Sequence, residues 1–397
     1  MAGDAKERVR RRIGAAREEL LALSRRIHGH PELAFEEEKA CAWLCEALAG
    51  AGFAVEAGAY GLPTAFTARV GPGPLRLVVC AEYDALPGVG HACGHNLIAA
   101  MAVGAGLGLA EEADDLGVEL TVLGTPAEER GGGKVLLLER GALDGVHAAM
   151  MVHPAPFELA AMPVIASTQF DVHYTGKEAH AAAYPDLGIN AADALVVAQT
   201  AIGLLRQHLR PGDRVHGIVT KGGDAPNIVP ARTSATYMAR AATLEELAEV
   251  RAKVLRCFEA GALATGASME VVSEQRPYAE MRHHPGLLAA YRRNAEALGR
   301  RLQDDQGGRR APVSTDMGNV SQALPSIHPA ISIDSAPVVN HQPEFTAHCV
   351  SPAAERALLD GAVAMAWTAV DAAGDGPLRA ELLAGSSGVG RRTGAER

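Results

Sequence analysis

The stretch His91-Ala92-Cys93-Gly94-His95-Asn96 puts three potential metal ligands, His91, Cys93 and His95, into one short turn. A thiolate and an imidazole two residues apart, in an extended or turned segment, can face the same side and share one ion. The turn follows an apolar run, Leu77-Val78-Val79-Cys80, and an acidic stretch, Glu82-Tyr83-Asp84-Ala85-Leu86-Pro87, and it leads into a long apolar segment from Leu97. A Cys-x-His pair also suits an ordinary packed turn, so its meaning depends on ligands arriving from elsewhere.

Such partners exist along the chain. Glu128-Glu129 lies between Thr125-Pro126 and the glycine run 131–133. Adjacent carboxylates usually make a solvated turn. In a loop at a sheet edge, however, neighbours point in different directions, so one can hold an ion while the other faces the substrate and carries a proton. His153 ends an apolar strand, and Pro154 after it favours an extended conformation. Alone it reads as a core histidine; with Cys93 and His95 nearby it reads as a ligand. His341, in Asn340-His341-Gln342-Pro343, can return to the same edge, and spacing does not choose between it and His348. Farther off, His180 follows Gly176-Lys177-Glu178-Ala179, Asn227 closes Gly222-Gly223-Asp224-Ala225-Pro226, and Arg240 ends a strand. His and Asn can polarise a carbonyl oxygen and Arg can grip a carboxylate through paired hydrogen bonds, although loop polars and a surface Arg would look the same.

The elements that must position these residues follow from periodicity. Helices are expected over 7–29 and 35–51, strands at 53–55, 64–70 and 75–81, a helix over 97–111, a strand at 118–123, a helix over 133–140 and a strand at 148–152. Strands alternating with helices predict a mostly parallel sheet flanked by helices, with ligands gathering at the carboxyl ends of its strands. From 166 the order becomes strand 168–175, helix 188–209, strands 214–221 and 231–241, helix 244–264 and strand 268–275. That is β-α-β-β-α-β, a ferredoxin-like domain inserted into the first. A helix (284–302), a polar Gly-rich segment (304–311), strands near 313 and at 330–334 and a closing helix (351–372) complete the chain. The expected division is 1–165 with 282–374, the insert 166–281, and a tail 375–397 without regular structure.

With 397 residues, 48% hydrophobic and 21% charged, the chain can bury two cores. A net charge of −10 argues against nucleic acid or an anionic membrane as partner. No apolar run reaches membrane-spanning length, and the charged start lacks the apolar core of a signal peptide, so a cytoplasmic location is expected. The six cysteines are scattered rather than framed for disulfides, which fits a reducing compartment. A redox or nucleophilic role for Cys93 is weaker, because no resolving cysteine lies near it in sequence.

In order along residues 15–372, Glu82-Tyr83-Asp84-Ala85-Leu86-Pro87, His91-Ala92-Cys93-Gly94-His95, Pro126-Ala127-Glu128-Glu129, His153-Pro154, Gly176-x-x-Ala179-His180-Ala181, Asn227-Ile228-Val229-Pro230 and His341 resemble the aminoacylase/carboxypeptidase-G family of metallopeptidases. Within it the chain is similar to the branch of auxin-conjugate, hippurate and p-aminobenzoyl-glutamate hydrolases, nearest to dipeptidase-like amidohydrolases. The resemblance implies an amidohydrolase with two divalent ions, zinc or manganese, acting on N-acyl amino acids or dipeptide-like substrates that bear a free carboxylate. It implies Cys93, His95, Glu129, His153 and His341 as metal ligands, Glu128 as general base and Asp84 as supporting carboxylate. His180, Asn227 and Arg240 would contact the substrate, and the inserted domain would form a homodimer. A carboxypeptidase or dipeptidase acting on true peptides, and a non-catalytic paralogue, are the alternatives. Three departures stand out: Glu82 occupies the first position of a His-x-Asp motif, Asn96 replaces an Asp, and Cys93 stands where other branches have a bridging carboxylate.

Overall fold

A computed structural model describes residues 2–303 and 313–385. The chain divides into two compact units, Met1–Pro163 with Met281–Arg397, and Val164–Glu280. Each has its own apolar core.

The first unit is built on strands β1 (Ala54–Ala57), β2 (Phe66–Val70), β3 (Leu75–Ala81), β4 (Val118–Gly124), β5 (Ala148–Met150), β6 (His153–Ala155), β11 (Ser326–Ile327) and β12 (Ala330–Ser332). Six of them form one sheet in the order β1-β2-β4-β3-β5-β11. Pairing is parallel from β4 through β3 and β5 to β11, and antiparallel at the β1-β2-β4 edge. The parallel strands β3 and β4 are mostly apolar and buried, with Arg76 and Glu119 near their starts the charged exceptions, as expected where helices cover both faces of a sheet. The helix His95–Leu109 is buried along almost its whole length. Its glycines permit close neighbours: a Cβ on Gly104 would lie 2.9 Å from Ala362 Cβ, and on the closing helix Pro352–Gly374 a Cβ at Gly361 would lie 2.3 Å from Met101 Sδ.

The second unit comprises β7 (Ala166–Thr175), β8 (Arg214–Lys221), β9 (Arg232–Ala241) and β10 (Ser268–Glu274), with helices Ala191–Leu205 and Leu244–Thr265. Its sheet runs β10-β7-β9-β8 with antiparallel pairing, the strand order of the expected β-α-β-β-α-β pattern.

Several boundaries differ from expectation. The first helix bends at Ala16 into Ala2–Ala15 and Arg17–His28. Its hydrogen bonds continue through the bend, Ala16 N–H to Arg12 O and Leu20 N–H to Ala16 O. The strand expected at 148–152 leaves the sheet after Met150, and His153 opens a separate two-stranded ribbon, β6 with β12. Pro154 cannot donate to a central ladder, so the chain changes partners where it enters. Near 313, where a strand is expected, Val313 donates to Pro163 O without a named strand, and β11, thirteen residues on, is too short at two residues to leave a pattern. The segment after 374, expected without regular structure, is helical over Gly376–Gly385 because Leu378 and Leu382, one turn apart, reach the core. Residues 386–397 and the whole Gly-rich segment 304–311 lie outside the described residues. Among the described residues no helix is long and apolar enough to cross a membrane.

Candidate metal centre

Four segments meet at the carboxyl ends of the parallel strands. β3 runs into Glu82 and Asp84, and the next turn delivers Cys93 before His95 opens its helix. β4 runs into Glu128 and Glu129, and the chain beyond β5 into His153. His341 comes from the loop before the short helix Pro343–His348. Its φ is +71° and its N–H donates to Ala92 O at 2.8 Å, which ties this loop to the Cys93 turn.

Among the described residues four sets of three ligand atoms form, each with its atoms within 4.8 Å of one another; His95 with Glu128 and Glu129 is one, and two contain Cys93: Cys93 with His95 and His153, and Cys93 with Glu129 and His341. Cys93 is common to both. Its Sγ lies 3.5 Å from His153 Nε2, and His341 Nε2 lies 3.5 Å from Glu129 Oε1. Of the two late histidines, His341 lies in such a set; among the described residues His348 and His91 belong to none of them. His91 is buried without a partner for either ring nitrogen, and burial, then His95 and His28, push its pKa down to about 3.

The donor set fits a metal. His95 Nε2 and Glu129 Oε1 are buried and have no hydrogen-bond partner, a costly arrangement that bound cations would repair. His95 Nδ1 lies 3.0 Å from Asp84 Oδ1, which fixes the tautomer and leaves the Nε2 lone pair available to a cation. Asp84 Oδ2 accepts from the Glu129 N–H at 3.0 Å, so one carboxylate orients two ligands. Burial, followed by Glu129, pushes the Cys93 thiol well above its ordinary range. A thiolate here requires a cation beside it, which disfavours a free nucleophile.

The two neighbouring glutamates are driven apart. Burial, then Glu82, Glu129 and Asp316, raise Glu128 well above the usual carboxylate range. For Glu129, burial works the other way but His341 and His95 prevail and hold it below that range. One is suited to take up a proton and the other to remain an anionic ligand. The remaining ligand-like set, Glu82, Glu128 and Asp316, already contains a cation: Lys134 Nζ donates to Glu82 Oε1 and, at 2.6 Å, to Asp316 Oδ1. All three of these side chains are buried. Lys134→Met strands two buried carboxylates and is expected to cost about 3–5 kcal/mol; denaturant unfolding of metal-free protein measures it, and a loss under ~1 kcal/mol would contradict the charge argument.

Lys134 and Asp316 escaped sequence reading, although a single Lys in Gly133-Lys134-Val135-Leu136-Leu137-Leu138 was an available signal. His328, buried after β11 with both ring nitrogens unpartnered and its ring 5.6 Å from that of His153, was also missed. Asn96 has a structural reason: its Nδ2 donates to Ser24 Oγ and Cys349 O, which a carboxylate could not do. In the second unit, His180 Nδ1 accepts from the Ala183 N–H at 3.1 Å, leaving Nε2 as the donor. Asn227 is beside it, its carbonyl accepting from the Ala181 N–H, whereas Arg240 lies on β9 opposite Arg214.

The family profile described as "Peptidase family M20/M25/M40" matches residues 78–365. The chain is 42% identical over 383 residues to the Xaa-Arg dipeptidase of Mus musculus, covering 92% of this chain and 88% of the relative. It is 33% identical over 279 residues to a p-aminobenzoyl-glutamate hydrolase chain of Escherichia coli, covering 65% of this chain and 58% of the relative. The fold is similar to a dinuclear metal-binding M20 peptidase of Bacillus subtilis, with TM-score 0.69 at 22% identity over 90% of this chain and 98% of that one.

Proposed function

The chain belongs to peptidase family M20/M25/M40 and is a hydrolase, and from that premise we propose that it cleaves dipeptides or N-acyl amino acids bearing a free carboxylate. The observation that carries this reading is the pair of ligand sets sharing Cys93, with Glu128 within 4.8 Å of His95 and Glu129. Cys93, His95, Glu129, His153 and His341 would hold two divalent ions. Thiolate and imidazole donors favour zinc, and the carboxylate admits manganese. Bound there, the ions would supply a more acidic water and polarise the amide carbonyl. Glu128 would take the proton of the attacking water and return it to the leaving nitrogen. Asp84 holds His95 and the Glu129 backbone in place throughout.

From the second unit, His180 is the proposed donor to the oxygen that gains charge, and Asn227 and Arg240 the groups for the free carboxylate. A homodimer formed through this unit and a cytoplasmic location complete the proposal. A dipeptide substrate is favoured over other amides because the relative matched over most of its length is a dipeptidase, and an N-acyl amino acid is the second reading because of the p-aminobenzoyl-glutamate relative. The test is a hydrolysis panel on metal-analysed protein: Xaa-Arg dipeptides, other dipeptides, p-aminobenzoyl-glutamate and N-acetyl amino acids, each with its C-terminally amidated counterpart. Hydrolysis of the free acids, abolished by chelation and restored by metal, is expected. Metal-loaded protein that hydrolyses none of them would overturn the proposal in favour of a non-catalytic paralogue.

A further inference from the structure

Ala127, immediately before the two glutamates, has a φ of +60°, unusual for a residue with a side chain. Its carbonyl accepts from the N–H groups of Gly132 and Gly133, closing the turn that carries Glu128 and Glu129. Its own N–H donates at 2.8 Å to Oε1 of Glu37, a fully buried carboxyl group from a distant part of the chain. Glu37 sits at the N-cap of the helix Glu38–Gly50, yet its side chain makes no capping bond to that helix. Glu32 serves there instead, accepting from the N–H groups of Lys39 and Ala40. Two residues before Glu37, Phe35 has a φ of +66° and is 41% exposed. Its ring lies over Gly131, where an added Cβ would meet Phe35 Cε2 at 2.4 Å. The segment 35–37 thus touches the glutamate turn on both sides, at Ala127 and at Gly131.

We propose that Glu37 is a positioning residue for the hydrolytic centre, its carboxyl oxygen holding the left-handed turn at Ala127 so that Glu128 and Glu129 project correctly, with Phe35 closing the other end over Gly131. The inference rests on the roles given above to those two glutamates. Burial, followed by the charge of Asp84, raises the Glu37 carboxyl to about 7. A buried carboxyl is expensive, and bonding the Ala127 N–H gives it a use that an apolar residue could not supply. Without it, that N–H loses its partner inside the protein and the turn loses a fixed point. Small displacements of a general base and a ligand are costly, since misplacement by about 1 Å can lower a rate about 100-fold.

The test compares Glu37→Gln, Glu37→Leu and Phe35→Ala with wild type. Each is measured for kcat, KM, metal affinity by chelator competition, and amide hydrogen exchange across 126–133. Gln keeps an oxygen for the Ala127 N–H, so kcat and metal affinity within about threefold of wild type are expected. Leu is expected to lower kcat or metal affinity by about 10–100-fold, the range for removing a partner that orients a ligand, with KM little changed and faster exchange confined to 126–133. Phe35→Ala, at an exposed site that leaves the core intact, should give a smaller loss in the same direction. A folded Glu37→Leu with wild-type kcat and metal affinity overturns the proposal, as does a folded Glu37→Gln as impaired as Leu. If Leu does not fold, unchanged kcat and unchanged exchange in Phe35→Ala overturn it. Wild-type protein that binds metal but hydrolyses nothing would instead remove the functional reading on which the inference stands.

Discussion

Glu128→Gln is expected to lower kcat by about 10²–10⁴-fold while leaving metal content unchanged. That range is the usual contribution of a positioned proton-transfer group. Gln fills the same volume but cannot take a proton from water, and the five proposed ligands remain. The stability should move the other way. Burial, then Glu82, Glu129 and Asp316, raise the carboxyl of Glu128 above its ordinary 4.5. A group whose folded-state pKa is raised contributes stability below its unfolded value, and loses it as pH rises through the folded value. Wild-type metal-free protein should therefore lose stability as pH rises above about 4.5 through this group, and Glu128→Gln should lose less. Rate measurements on metal-analysed protein, with unfolding of the metal-free forms at several pH values, check both parts. A Gln variant retaining full kcat would remove Glu128 from the chemistry.

The second large effect concerns Cys93, the one side chain belonging to both ligand sets. Cys93→Ala should disturb two ions, whereas His153→Ala and His341→Ala should each disturb one, since each belongs to a single set. Elemental analysis should show both ions depleted in the first variant and a partial deficit in the other two. Activity should fall by at least about 100-fold for Cys93→Ala, beyond the upper end of the range for removing a mere orienting partner. Chelation of wild type should also destabilise it. An ion bound at a hundredfold excess over its dissociation constant contributes about 2.7 kcal/mol, and its removal leaves the buried Asp84 and Glu128, with Glu129 beside them, with one charge compensation fewer. Full metal content and activity in Cys93→Ala would return its turn to ordinary packing.

Much of this protein was legible from local pattern. The alternation of apolar strands and helices up to Met150 predicts the parallel sheet, because strands covered on both faces must be apolar throughout. The β-α-β-β-α-β order of the insert is equally local, each element announcing itself by its own period. Cys93, His95, Glu128, Glu129 and His153 were readable as candidates because each follows a strand that ends at the ligand edge.

Other features depended on which distant segments meet. No spacing rule distinguishes His341 from His348; the hydrogen bond from His341 N–H to Ala92 O and the 3.5 Å approach to Glu129 do. The opposite tendencies of Glu128 and Glu129 to hold a proton are invisible in a dipeptide of identical residues. They arise because one faces Glu82 and Asp316 and the other faces His341 and His95. Lys134, an ordinary lysine in sequence, becomes a buried counter-charge only when Asp316, 182 residues away, folds onto it. Glu37 likewise reads as one of several glutamates before a helix until Ala127 is placed against it. By itself the sequence determined most of the secondary structure, the fold class and the residue types a metal centre needs, since those follow from short-range periodicity and from donor chemistry. Tertiary structure alone brought the candidate donors together, drove the proton affinities of Glu128 and Glu129 apart and placed Glu37 against their turn, because electrostatic and hydrogen-bond energies depend on separation in space.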